Sequence, residues 1–139
     1  MSEAKGGILV VEDEPLIALM IEDMASDLGW KVEWTAHTEA TALEILETHT
    51  PTLAFLDINL GQRNSLLVAE ICRDRGISVV FTTGYTAKDI PPECGNAPVL
   101  PKPFSSKDFA IALQRGLAQR TETAFRQTSV SDTAPPQRF

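Results

Sequence analysis

Short apolar runs alternate with longer amphipathic stretches from Gly6 to about Arg120. "ILVV" (8–11) is aliphatic throughout and predicts a strand buried on both faces. Pro15 suits the first turn of a helix, where its missing N–H costs nothing. After it, Leu16, Ile17, Met20, Ile21, Met24 and Leu28 recur at three and four residues, predicting one core-facing stripe that Gly29 ends. "KVEWT" (31–35) sets Val32 and Trp34 against Lys31 and Glu33, as a half-exposed edge strand does. "TEATALEILETH" (38–49) predicts a second helix with Ala42, Leu43 and Leu46 inward.

"TLAFLDI" (52–58) and "ISVVFTT" (77–83) predict two further buried strands. Between them lie a loop, "GQRNS" (61–65), and a helix, "SLLVAEICRDR" (65–75), closed by Gly76. "PVL" (98–100) predicts a short last strand leading to Lys102. Ser105 or Ser106 caps a final helix whose positions Phe109, Ala112, Leu113 and Leu117 keep the helical rhythm. Alternation of this kind predicts an α/β fold, a doubly wound parallel sheet with helices on both faces. The fourth helix should be short or irregular, because "YTAKDIPPECGNA" (85–97) contains Pro91, Pro92 and Gly95. Residues 1–5 are expected to be a flexible N-terminus, 6–120 one domain, and 121–139, poor in apolar residues, a disordered tail.

Composition narrows the function. The 139 residues suffice for one domain with a core, and 43% hydrophobic with 22% charged residues is ordinary for a globular protein. No apolar run approaches the roughly 20 residues that cross a bilayer, and the polar start "MSEAKGG" lacks a signal-peptide core. A cytoplasmic protein is expected. A net charge of −7 argues against nucleic acid as a partner. Cys72 and Cys94 have no metal-ligand spacing and are expected to be reduced and inert. His37 and His49 are expected to be solvated, Trp30 and Trp34 to pack around the edge strand, Met20 and Met24 to join the core, and Arg63 to be a solvated loop residue.

The chemistry lies where strands end. In an open parallel α/β sheet, ligands bind beyond the carboxyl ends of the strands. Glu12, Asp13, Asp57, Thr82, Thr83 and Lys102 all fall at such ends, while Glu14 reads as a first-turn acid favourable to the helix dipole. Two carboxylates about 5 Å apart repel by roughly 3 kcal/mol at an effective dielectric of about 20. Lys102 neutralises only one of three, and a divalent cation with oxygen ligands, Mg²⁺ before Zn²⁺, settles the rest. A carboxylate beside such an ion can attack phosphorus and form an aspartyl phosphate. Lys102 and the Thr83 hydroxyl are placed to stabilise the transferred group, and Gly84 leaves room for its approach.

"ILVVEDEP", "LAFLDINLG", "VVFTTGY" and "VLPKPF", in this order, resemble the receiver domain of two-component response regulators over about residues 6–120. The resemblance implies a five-stranded, flavodoxin-like sheet of order 2-1-3-4-5. It also implies that Asp57 accepts the phosphoryl group and that Asp13 holds Mg²⁺ directly and Glu12 through water. The Asn59 carbonyl would be a further metal ligand, Thr83 the switch hydroxyl, Lys102 the phosphoryl contact, and Pro103 the site of a cis peptide. The aromatic residue that most receivers carry three positions before the lysine is here Val99. "FTTGY" is similar to a receiver subfamily with a Phe-x-Thr-Gly-aromatic motif, which makes Tyr85 the nearby aromatic for the switch. The partners implied are a sensor histidine kinase or phosphotransfer protein and a downstream protein, with no membrane contact. The chain is expected to stand alone as a monomer or weak dimer, signalling by protein contact or draining phosphoryl groups from a kinase.

Two rivals remain open on the residues alone. A Mg²⁺-dependent phosphohydrolase with an aspartyl-phosphate intermediate usually needs a second Asp two residues after the nucleophile, where Asn59 stands. A nucleotide or flavin binder needs a glycine-rich loop after the first strand, where acids stand instead.

Overall fold

The computed structural model describes residues 6–60, 63–84 and 91–133, for 63, 64 and 120–133 as backbone only. Strand β1 (Gly7–Val11), helix α1 (Pro15–Asp27), strand β2 (Lys31–Ala36), helix α2 (Glu39–Thr48) and strand β3 (Leu53–Asp57) follow in order. A two-rung antiparallel ladder, β4 (Asn59–Leu60) with β5 (Arg63–Asn64), precedes helix α3 (Leu66–Asp74). Strand β6 (Ser78–Thr83), a 3-10 turn (Pro92–Cys94), strand β7 (Val99–Pro101) and helix α4 (Ser106–Thr133) complete the described residues. The main sheet runs β2-β1-β3-β6-β7, every neighbouring pair parallel. This is the 2-1-3-4-5 order that the receiver resemblance implies. No helix among the described residues is long and apolar enough to cross a membrane.

The two faces of the sheet separate by strand alternation. Leu9, Val11, Ala54, Leu56, Val79 and Phe81 pack against α2 and α3 through Ala42, Leu46, Val68 and Cys72. Ile8, Val10, Leu53, Phe55 and Val80 pack against α1 and α4 through Ile21, Ala25, Phe109 and Leu113. The Phe55 and Phe109 rings stack at 4.8 Å between centroids. Trp34 and Trp30 pack at the margins of these two clusters, beside the edge strand β2. Gly29 and Gly76 take positive φ angles of 86° and 76°, closing α1 and α3 as expected.

Three local expectations need correction. The buried stripe of α1 is Ala18, Ile21 and Ala25, with Ile17, Met20 and Met24 partly buried beside it, while Leu16 is 75% exposed and Leu28 is also exposed. Small alanines let the helix lie close on the sheet, and a count of large apolar residues misses them. The stretch after Asp57 is not all loop, because residues 59–60 and 63–64 pair as β4 and β5. The backbone of α4 remains helical to Thr133 where composition predicts disorder from 121. From Leu117 to Thr133 the chain has neither Gly nor Pro, so nothing interrupts propagation. His37 is exposed, as expected, and in addition makes a specific hydrogen bond described below.

The broken segment behaves as its prolines predict in its described part. Residues 91–97 form one 3-10 turn with Cys94 buried, and 85–90 lie outside the described residues. Arg73 donates to the Glu93 carbonyl at 3.1 Å and Gln119 to the Asn96 carbonyl at 2.6 Å, tying the segment to α3 and α4. Ser105 caps α4 reciprocally: its Oγ accepts from the Asp108 N–H at 3.1 Å, and Asp108 Oδ2 accepts from the Ser105 N–H at 3.3 Å. Arg75 closes α2 from outside, donating to the carbonyls of Leu46 and His49 and to Thr50 Oγ1.

Gly116 is buried where α4 crosses the sheet, and a Cβ there would lie 2.8 Å from Val80 Cγ2 and 3.2 Å from Leu53 Cδ1. Gly116→Ala should therefore destabilise the domain by about 1–2 kcal/mol in chemical denaturation, despite alanine's better helix propensity of about 1 kcal/mol. Burial pushes the Cys72 thiol up to about 12 and raises that of Cys94. Both should resist Ellman's reagent in the native protein at pH 8 and react fully in denaturant (a free native thiol would contradict the packing).

Candidate functional site

The carboxyl edge of the sheet is assembled by the last rungs of its ladders. Glu12 follows β1 and donates its N–H to the Ala36 carbonyl at 2.9 Å, at the end of β2. Ile58, after β3, donates to the Thr82 carbonyl at 3.0 Å, and Lys102, after β7, to the Thr83 carbonyl at 2.7 Å. These bonds carry the ladders one rung past the ends of β1, β3 and β7. Glu12 is fully buried, Asp57 5% exposed and Thr83 2% exposed, while Asp13 is exposed. Carboxylate oxygens of Glu12, Asp13 and Asp57 all lie within 4.8 Å of one another.

Lys102 enters between two of them. Its Nζ lies 3.0 Å from Glu12 Oε1 and 3.1 Å from Asp57 Oδ2, and donates to Glu12 Oε2 at 3.2 Å. The Asn59 N–H donates to Asp57 Oδ1 at 3.2 Å, so each oxygen of that carboxylate has a fixed partner. The Glu14 N–H donates to Glu12 Oε2 at 3.1 Å. The Lys102–Pro103 peptide is cis. At Gly84 a Cβ would meet no atom of the described residues within 4 Å, so packing among them does not demand the glycine. Tyr85 lies outside the described residues, and of Arg63 only the backbone, in β5, is described.

Charge in this pocket is unbalanced. Burial, then the charge of Asp57, pushes the Glu12 carboxyl up to about 7 against the opposing bonds from Lys102 and the Glu14 amide. Burial also raises Asp57, partly offset by Lys102. Burial opposes the charge on Lys102, but its bonds to Glu12 and Asp57 outweigh that and raise its pKa. Three carboxylates and one ammonium leave two negative charges, the complement of a divalent cation. The donors are all oxygen, and the buried Glu12 Oε1 faces the Lys102 ammonium at 3.0 Å. The chemistry of the cluster fits Mg²⁺.

One residue of this neighbourhood was missed by reading strands alone. His37 Nδ1 donates to the Glu12 carbonyl at 2.9 Å. A cavity of about 580 Å³ beside Asp13 is lined by His37, Glu39, Leu43 and Leu60 among others. His37 directly follows β2, at the same carboxyl edge that marks Asp57. Applying the strand-end rule to the edge strand would have found it.

A sequence model of the response regulator receiver domain matches residues 8–114, and the chain belongs to this family of phosphorylation-activated signalling domains. It is 42% identical to SdrG from Sphingomonas melonis Fr1, whose solution structure superposes with a TM-score of 0.75 over 84% of this chain and 99% of that one. It is 32% identical over 114 residues to the phyllosphere-induced regulator PhyR of Methylorubrum extorquens, covering 79% of this chain and 43% of that protein. It is 28% identical over 119 residues to the transcriptional regulatory protein PdtaR of Mycobacterium tuberculosis, covering 83% of this chain and 58% of that protein. The chain thus spans about half the length of these curated relatives.

The raised Glu12 carboxyl carries a sign that can be tested. The folded state binds this proton more tightly than the unfolded chain, whose ordinary value is 4.5. The cost of the buried charge is absent below that value and grows as pH rises toward 7. Metal-free protein in EDTA should lose stability over this range. Glu12→Gln should be more stable than wild type at pH 7.5 by about 3 kcal/mol, the gap closing near pH 4.5. A Glu12→Gln protein less stable than wild type at pH 7.5 would refute the stated balance of charge.

Proposed function

We propose that this chain is a Mg²⁺-dependent cytoplasmic switch in which Asp57 accepts a phosphoryl group from a sensor histidine kinase or phosphotransfer protein. The observation that carries the reading is the Lys102 ammonium lying between the Glu12 and Asp57 carboxylates, within a cluster completed by Asp13. An Asp57 oxygen attacks phosphorus, the phosphorus–nitrogen bond of the donor phosphohistidine breaks, and the released imidazole nitrogen keeps the electron pair and takes a proton from solvent. Asn59 N–H and Lys102 hold the two Asp57 oxygens and so orient the nucleophile. Asp13, Asp57 and the Asn59 carbonyl are the direct Mg²⁺ ligands in this reading, with Glu12 acting through water. The bound cation supplies charge neutralisation for the phosphoryl oxygens.

After transfer, Lys102 keeps a phosphoryl oxygen in place of Asp57 Oδ2, and the Thr83 hydroxyl, at the end of β6, turns to a second one. Thr83 and Gly84 begin the segment that leads through Tyr85 to the 91–97 turn, and the Phe-x-Thr-Gly-aromatic motif assigns the aromatic part of the switch to Tyr85 in place of Val99. Output passes by protein contact through the face formed by that turn, β7 and α4, or the domain drains phosphoryl groups from its kinase. Asn59 offers no carboxyl proton donor, which sets the chain apart from aspartyl-phosphate hydrolases.

Acetyl phosphate with Mg²⁺ should label the wild-type protein with one hydroxylamine-sensitive phosphoryl group per chain, visible by intact mass. EDTA and Asp57→Asn should each abolish the label. Labelling that persists in Asp57→Asn overturns the assignment.

A further inference from the structure

We infer that His37 is a positioning residue for the acidic pair: its Nδ1–H fixes the Glu12–Asp13 peptide and thereby preorganises the Mg²⁺ site. The inference rests on the receiver chemistry proposed above and deepens it. A carbonyl oxygen only accepts, so the 2.9 Å contact between His37 Nδ1 and the Glu12 carbonyl assigns the ring proton to Nδ1. With the Glu12 N–H given to the Ala36 carbonyl, both polar groups of the Glu12 backbone are held by consecutive residues at the end of β2.

The need for such a hold follows from the charges. β1 ends at Val11 and α1 begins at Pro15, so Glu12, Asp13 and Glu14 lie between regular elements. Mutual repulsion among carboxylates within 4.8 Å of one another pushes this connection outward when no cation is bound. The His37 ring resists that motion through the one peptide group that joins Glu12 to Asp13. Outer groups that orient metal ligands commonly control metal affinity by about tenfold or more. His37 is itself exposed and belongs to neither core cluster, so its loss removes little packing. That separates a positioning role from a structural one.

The test measures Mg²⁺ affinity by calorimetry on the full chain, together with the melting temperature in EDTA. His37→Ala should raise the Mg²⁺ Kd about tenfold while leaving the metal-free melting temperature nearly unchanged. His37→Asn, whose side-chain amide N–H occupies the place of Nδ1, should return the Kd close to the wild-type value. Equal Kd values for wild type and His37→Ala overturn the inference, as does a His37→Asn protein no better than His37→Ala. So does a metal-free His37→Ala protein whose melting temperature falls steeply, since that marks a fold contact. These failures leave Mg²⁺-dependent labelling of Asp57 in the wild type intact, whereas wild-type protein that binds no Mg²⁺ overturns the receiver chemistry along with the inference.

Discussion

The ammonium of Lys102, shared between the carboxylates of Glu12 and Asp57, is the interaction on which the site depends. Glu12 is fully buried and Asp57 nearly so, and neither could carry charge there without a neighbouring cation. The lysine does not finish the task. It leaves a surplus of negative charge among the three clustered carboxylates. Such a pocket is costly to the fold while it is metal-free, and the cost is what gives a bound cation something to relieve.

The expense is tolerated because the sheet beneath it is so thoroughly buried. Every residue of β3 and of β6 is buried, and apolar clusters close both faces. The same strands that build the core deliver Asp57 and Thr83 at their ends, so packing fixes the site's geometry. Gly116 belongs to this scheme from below, letting α4 approach Val80 and Leu53 closely enough to cover the sheet.

Much of this is legible in the sequence, for a physical reason. A strand buried on both faces announces itself as an aliphatic run, and a carboxylate ending such a run has few reasons to be there other than chemistry. Glu12, Asp13, Asp57 and Lys102 were readable on that ground, and the structure brings their side chains together. What was not legible depends on weaker signals. The core face of α1 rests on Ala18 and Ala25, whose small side chains score poorly in any count of large apolar residues. The β4–β5 ladder has two rungs, too short for a period-two pattern. His37 follows an edge strand whose polarity hides its boundary, and its role lies in a hydrogen bond to backbone, which no side-chain motif records.

Glu12 sits at the crossing of these influences, and its length matters. From β1 to β7 the sheet order β1-β3-β6-β7 spans three strand spacings, about 14 Å at roughly 4.8 Å each. The side chains of Glu12 and Lys102 must bridge that gap above Asp57, and only long ones meet. An aspartate at position 12 would stop one carbon–carbon bond, about 1.5 Å, short of the 3.0 Å contact with Nζ. The glutamate thus joins the two edges of the sheet through one residue. Its backbone is held from β2 by Ala36 and His37, and its carboxylate from beyond β7 by Lys102. Movement of the acidic connection, at either end of that linkage, reaches Asp57 through the ammonium that Glu12 and Asp57 share.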